Sequence, residues 1–104
     1  MGLADEFQQE ALETCRILSR QYHYNPTIFL RMIQESGAVG AAQRLLRTTD
    51  VQYGFSKLWE LDKLEMSIEA MALKAKYGSL FTPEELATAR KRLDKVDYRV
   101  PEDW

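Results

Sequence analysis

The stretch Thr82-Pro83-Glu84-Glu85 decides the fold of this chain more clearly than any other. A threonine followed three residues later by a glutamate is the pattern of a capping box, in which each side chain accepts a hydrogen bond from the other residue's backbone N–H. Pro83 suits the first helical position, because the N–H that proline lacks would have no partner there. The apolar residues that follow recur at helical spacing and predict one amphipathic helix; they are Leu86, Ala89, Leu93 and Val96.

Helical spacing of apolar residues also runs back through almost the whole chain. It predicts further helices over about residues 3–22, 26–37, 38–47, 53–61 and 67–77. No run of β-branched residues alternates for four or more positions, so a sheet is not expected. The predicted fold is all-α, a compact single-domain bundle of five or six short helices, with the helical domain over residues 1–96 and a C-terminal tail over residues 97–104.

Four residue types set the expected helix boundaries. Asn25 caps the second helix with its side-chain oxygen, and Pro26 takes the first helical position. Gly37 ends that helix, since glycine enters the left-handed conformation without a Cβ clash. Ser67 caps the fifth helix. A group of small residues after Gly37 predicts close approach of another helix; they are Ala38, Gly40, Ala41 and Ala42.

The composition is that of a globular protein with an ordinary solvent-exposed surface. Of the 104 residues, 45% are hydrophobic and 29% are charged, and the net charge is −2. This balance gives no global attraction to nucleic acid or to anionic lipid. No apolar run approaches the roughly 18 residues that suggest a membrane span, and the acidic N-terminus lacks the pattern of a secretory signal. We therefore expect a cytoplasmic protein that does not bind membranes.

The chain contains one cysteine and one histidine, the residue types on which most proton-transfer, thiol and zinc chemistry depends. Cys15 and His23 lie eight positions apart on one predicted helix, which separates them by about 12 Å along its axis. A thiol–imidazole pair needs contact, so these two residues do not form one. The sequence predicts no catalytic residue, no metal site and no cofactor. One hypothesis is nevertheless a small enzyme that uses carboxylates, Tyr and Arg, besides the two binding hypotheses given below. It requires a buried Glu beside an apolar pocket.

Several short motifs are spread over about residues 22–95. They are Tyr24-Asn25-Pro26-Thr27, Phe29-Leu30, Gly37-Ala38-Val39, Ala41-Ala42, Arg44-Leu45-Leu46, Tyr53-Gly54-Phe55, Leu58-Trp59-Glu60, Ser67, Glu69-Ala70, Leu80-Phe81-Thr82 and Glu84-Glu85-Leu86. This set resembles a family of small uncharacterised helical proteins of bacteria, which occur alone or attached to larger proteins. The resemblance implies a helical, intracellular, bacterial protein and gives no catalytic residue.

The aromatic content favours a protein-binding or assembly module. A domain of this size does not hide eleven aromatic residues completely, and aromatic side chains left partly open are the usual anchors of interfaces. Met adapts its shape to a partner and suits the border of such a patch. The predicted surface binds a protein or a second copy of the chain, and its residues are Tyr53, Phe55, Trp59 and Met66.

A nucleic-acid-binding protein is the alternative interpretation. Residues 38–61 read as a helix, a break and a second helix, which is the outline of a helix-turn-helix. The break, about residues 48–52, is longer than usual, and Glu60 and Asp62 in and after the second helix repel phosphate. The basic residues that would contact phosphates are Arg44, Arg47, Lys57, Arg90, Lys91, Arg92 and Lys95.

Overall fold

Five α-helices and two short 3-10 helices make up the fold, which a computed structural model describes over residues 2–47 and 53–104. The α-helices are α1 (Leu3–Tyr22), α2 (Thr27–Arg47), α3 (Tyr53–Glu60), α4 (Ile68–Ala72) and α5 (Pro83–Asp94), and the 3-10 helices are Leu64–Met66 and Ala75–Leu80. The described residues contain no strand. The all-α bundle predicted from the sequence is therefore confirmed.

Helix α1 has the bounds that the sequence predicts. It ends where His23 takes a left-handed conformation at φ 53°, and the N–H of the next residue, Tyr24, donates to the carbonyl of Leu18 at 3.1 Å. His23 is exposed, whereas Cys15 lies on the buried face of the helix. The single histidine thus terminates a helix and lies apart from the single thiol.

Helix α2 is broken at Gly37, as the sequence predicts. Gly37 has a positive φ of 76°, but its ψ of 166° places it in an extended region rather than in the left-handed helical one. The residue after it, Ala38, donates its N–H to Oε1 of Gln8 on α1 at 3.0 Å. A side chain from another helix therefore caps the second half of α2. The first half begins at Thr27, one residue later than the Asn25-Pro26 pattern predicts.

The small residues of the second half of α2 allow the close packing expected of them. Ala38, Ala41 and Ala42 are at most 1% exposed, and α2 packs against both α1 and α5. Tight helix contacts of this kind depend on side chains no larger than a methyl group, since interiors are close-packed. A larger residue here would separate the helices.

The two predicted serine and threonine caps are both present. Ser67 accepts the N–H of Ala70 at 3.1 Å and begins α4. Thr82 accepts the N–H of Glu85 at 3.1 Å, and the Glu85 carboxylate accepts the N–H of Thr82 at 2.8 Å. The capping box is therefore formed at the start of α5.

The fifth predicted helix is shorter than its apolar spacing suggests. Helix α4 ends at Ala72, and Lys74 takes an extended conformation at φ −62° and ψ 134° before the 3-10 helix Ala75–Leu80. Tertiary contacts account for this change, because the Lys74 ammonium pairs with Glu10 on α1, and Glu10 also accepts a 2.9 Å hydrogen bond from the Tyr77 hydroxyl. A helix that continued past Ala72, as the local spacing of apolar residues predicts, would not make these contacts.

Two apolar clusters form the interior. The larger one is built around Phe7, whose ring meets those of Tyr77 and Phe81 edge-on at 5.1 and 5.5 Å between centroids. The smaller cluster joins α1, α3, α4 and α5, and its buried members are Leu18, Phe55, Leu58, Leu64, Ala70 and Leu93. The candidate site described below lies between these two clusters.

Residues 97–104 contain no helix but lie against the bundle. Tyr98, Val100 and Trp104 pack on the smaller cluster. The Trp104 carbonyl accepts the N–H of Ala75 at 2.6 Å, and the Lys74 ammonium lies 4.7 Å from the centre of the indole. The C-terminal segment therefore covers apolar surface.

Candidate functional site

A groove of about 230 Å³ opens where the two apolar clusters face each other. Its walls come from α1, residues 24–32, Leu45 near the end of α2, helix α3 and residues 66–71. The described residues that line it are Ala11, Thr14, Cys15, Leu18, Tyr24, Asn25, Pro26, Thr27, Ile28, Phe29, Met32, Leu45, Phe55, Leu58, Met66, Ser67, Ile68, Glu69 and Met71. Most of these side chains are apolar, so the groove is suited to apolar groups.

The buried polar side chains of the groove already have partners. The Ser67 hydroxyl donates to the carbonyl of Leu64 at 2.7 Å while accepting from Ala70. Glu69, at 3% exposure, accepts a hydrogen bond from Nη1 of Arg92 at 2.8 Å. Among the side chains that the structure describes, no buried nitrogen or oxygen atom lacks a partner. The groove therefore offers a bound group no free buried donor or acceptor.

Cys15 contributes a neutral thiol to the wall. Burial raises the pKa of this thiol to about 11, so the charged thiolate is scarce at neutral pH. The side chain is 5% exposed and behaves as a small apolar group, as the sequence predicts.

Sulfur is frequent in the lining of the groove. Met32 and Met66 are half-buried, and Met71 is buried at 2% exposure. Methionine side chains are unbranched and change shape at low cost, and their sulfur makes favourable contacts with aromatic rings. With Cys15, four sulfur-bearing side chains border the groove.

The groove continues onto an exposed apolar residue. Ile28 lines it and is nevertheless 67% exposed. Sequence reasoning did not name this residue. Ile28 lies four positions before Met32, at the border of the apolar stripe of α2, and that spacing was the signal that could have found it.

The predicted partner-binding residues have different environments. Met66 and Phe55 line the groove, although Phe55 is only 8% exposed and belongs to the smaller apolar cluster; contact of either residue with a partner stays a prediction. Trp59 is 57% exposed and is not among the lining residues. The side chain of Tyr53 lies outside the part of the chain that the structure describes.

Most of the predicted phosphate-binding residues pair with carboxylates. The pairs are Arg44–Glu35 at 3.6 Å, Arg47–Glu85 at 2.8 Å, Lys57–Glu60 at 3.9 Å and Arg92–Glu69 at 2.8 Å. Arg90, Lys91 and Lys95 are exposed and form no ion pair with the described residues. The break of the proposed helix-turn-helix, residues 48–52, lies outside the described residues.

A second, more polar depression lies between the end of α2 and α5. It is bordered by both signs of charge: Arg47, Lys91, Arg92 and Lys95 with Glu84 and Glu85. Since Arg47 and Arg92 are held by Glu85 and Glu69, little unbalanced positive charge remains there. This depression does not have the strongly positive lining typical of a phosphate site.

Among the described residues, no group of three or more His, Cys, Asp or Glu side chains is arranged to hold a metal ion. In that same part of the chain, none of the helices has both the length and the apolar character that crossing a bilayer requires.

The chain was compared with known protein families, with curated proteins and with solved structures, and none of these comparisons gave a match.

Proposed function

We propose that this protein is a non-catalytic helical module that binds another protein by taking one of its apolar side chains into the groove. The observation that supports this most directly is the groove itself, whose described lining is mostly apolar and contains no buried side-chain polar atom without a partner. Such a recess is the usual complement of an anchor residue in a protein interface, where a few buried side chains supply most of the binding energy.

The exposed apolar residues support the same proposal. Ile28 places apolar surface beside the groove at 67% exposure, and Trp59 adds a second exposed apolar side chain on α3 at 57%. Single exposed apolar residues are common on protein surfaces, but one that is continuous with a recess extends the area that a partner can cover. We therefore place Ile28 and Met66 in the binding surface.

The enzyme hypothesis requires a buried Glu beside an apolar pocket, and Glu69 occupies such a position. Its carboxylate is held by Arg92, and the other ionisable groups that line the described groove are the Cys15 thiol and the Tyr24 phenol. Acid–base catalysis needs a group that exchanges protons near the working pH and reaches the substrate. We therefore favour a structural role for Glu69, and we propose a binding function for the protein rather than a catalytic one.

Selection from a displayed peptide library tests the proposal without a known partner. The full chain is the bait, and selected peptides are then measured against the wild type, Ile28→Asp and Leu3→Asp. Leu3→Asp is the matched control, because it also puts an acid at an exposed apolar position, but at the first residue of α1 and away from the groove.

We expect the peptides to bind Ile28→Asp at least about tenfold more weakly than the wild type, since a charge beside an apolar contact must be desolvated. Leu3→Asp is expected to bind as the wild type does. If no peptide is enriched, or if both substitutions have the same effect, the proposed function is wrong. Binding of mixed DNA that weakens with salt and is lost in Lys91→Glu would favour the nucleic-acid alternative instead.

A further inference from the structure

We propose that the anchor held by the groove is an uncharged aromatic ring, supplied by a side chain of the partner protein. This inference rests on the proposed function and names the chemistry of the group that the site recognises. Three properties of the groove lead to it: its electrostatic character, its size and the sulfur atoms in its walls.

The charge of the lining excludes an ionic anchor. Glu69 is the one acidic or basic side chain among the described lining residues, and its charge is matched by Arg92 at 2.8 Å. The Cys15 thiol is neutral, and Ser67 uses its hydroxyl within the protein. An ionic anchor would lose its water without gaining an opposite charge, so the complementary group is uncharged.

The size of the groove suits a ring. An apolar cavity of about 150 Å³ is large enough to bind benzene in a well-studied lysozyme variant. The groove here, at about 230 Å³, has room for a phenyl or an indole group. A single methyl or isopropyl group would leave part of the volume without contacts, which forfeits dispersion attraction.

The sulfur atoms distinguish an aromatic ring from an aliphatic group of the same size. Met32, Met66 and Met71 approach the groove from α2, from the 3-10 helix Leu64–Met66 and from α4, and Cys15 adds a fourth sulfur from α1. Sulfur–aromatic contacts are favourable, and a saturated ring does not make them. Walls of this composition on several sides therefore favour an aromatic occupant.

Toluene and methylcyclohexane form a matched pair of probes for this proposal, because they are similar in size and only toluene is aromatic. Binding of each to the full chain is measured by NMR titration of the groove resonances. Methylcyclohexane is the more hydrophobic of the two, so transfer from water alone predicts that it binds more tightly. We expect the reverse order, with toluene bound more tightly than methylcyclohexane.

The double variant Met32→Leu/Met66→Leu separates the sulfur contacts from the shape of the groove. Both residues are half-buried, and exchange of Met for Leu nearly conserves volume, so the chain is expected to fold. Toluene affinity should fall about threefold in this variant, whereas methylcyclohexane affinity should change less than about 1.5-fold. An equal change for both probes, tighter binding of methylcyclohexane by the wild type, or no binding of either probe would overturn the aromatic assignment.

The peptide selection distinguishes failure of this inference from failure of the proposed function. Enriched peptides that share an essential Phe, Tyr or Trp support both proposals. Enriched peptides whose essential residue is Leu or Ile retain the binding function and overturn the aromatic anchor. If toluene binds as expected but no peptide is enriched, the protein-binding function is wrong, and with it the assignment of the ring to a protein partner.

Discussion

Glu69 on α4 and Arg92 on α5 form an ion pair that is almost closed to water. The Oε2–Nη1 distance is 2.8 Å, and the side chains of Arg92 and Glu69 are 12% and 4% exposed. The pair joins the two helices, and Glu69 also lines the groove.

Removal of one partner should be costly, because it leaves a buried charge without compensation. We expect Arg92→Met to lower the free energy of unfolding by about 3 kcal/mol, as found for other buried pairs. Urea unfolding monitored by circular dichroism measures this. The double variant Glu69→Met/Arg92→Met is expected to be more stable than Arg92→Met alone; a double variant that is less stable would contradict the argument.

The contacts of Glu10 predict a loss of stability in acid. Burial raises the pKa of this carboxyl, but hydrogen bonds from Lys74 and Tyr77 and the nearby positive charges outweigh that effect and hold the pKa below its ordinary value of 4.5. The folded state therefore favours the ionised form. This contribution to stability is complete above pH 4.5 and is lost as the pH falls through the lower pKa of the folded protein.

A comparison with Glu10→Gln isolates this contribution. Unfolding free energies are measured for both chains from pH 7 to pH 3, and the wild type should lose more stability over that range than the variant. Glu13→Gln serves as the control, since Glu13 is an exposed carboxylate of the same helix. Parallel curves for the wild type and Glu10→Gln would show that the contacts of Glu10 do not lower its pKa.

Gly37 holds a conformation that other residues adopt only at a cost. A Cβ at this position would lie 3.5 Å from Gln8 Oε1, which is an ordinary contact, so the cost comes from the φ of 76° and ψ of 166°. Gly37→Ala should destabilise the protein by about 1–3 kcal/mol, measured by thermal unfolding.

Gly78→Ala is the natural comparison for that change. Gly78 lies in the 3-10 helix Ala75–Leu80, and a Cβ there would meet nothing within 4 Å. Alanine reduces the freedom of the unfolded chain, so this variant should be as stable as the wild type or more stable by up to about 1 kcal/mol. Equal losses in the two variants would remove the conformational explanation.

The Cys15 thiol should react slowly in the folded protein. Its pKa rises from 9.0 to about 11 through burial, which reduces the thiolate fraction about a hundredfold, although a more basic thiolate is also a better nucleophile. We expect iodoacetamide to modify the native chain at least about tenfold more slowly than the chain unfolded in urea. Mass spectrometry of timed samples measures both rates, and equal rates would mean that the groove wall opens freely.

Local patterns were sufficient to predict most of the fold. The stripe from Phe7 to Leu18, the break at Gly37 and the capping box at Thr82 each depend on neighbours in the sequence, and each is present. The end of α4 at Ala72 was not predictable, because it is set by Lys74 reaching Glu10 on a distant helix. Propensity gives no information about such contacts.

The candidate site was harder to predict, because a groove exists only between elements. Met66 was named from its type alone, whereas the position of Ile28 at the edge of a groove depends on how α2 packs beside α1 and α3. Trp59 and Phe55 lie four residues apart on the short helix α3, yet one is exposed and the other buried. Helical periodicity on so short an element does not show which face meets the core.

Self-association stays a prediction, which light scattering over a range of concentrations tests.

The hydrogen bond from the Ala38 N–H to the Gln8 side chain has a consequence for the order of folding. Most helices are capped by a residue next to them, so they form locally, but here the capping oxygen lies 30 residues earlier in the chain. The segment after Gly37 therefore gains its cap only once α1 has docked. Formation of this part of α2 becomes a long-range event, and Gln8→Ala will show from its effect on the refolding and unfolding rates whether that docking precedes the transition state.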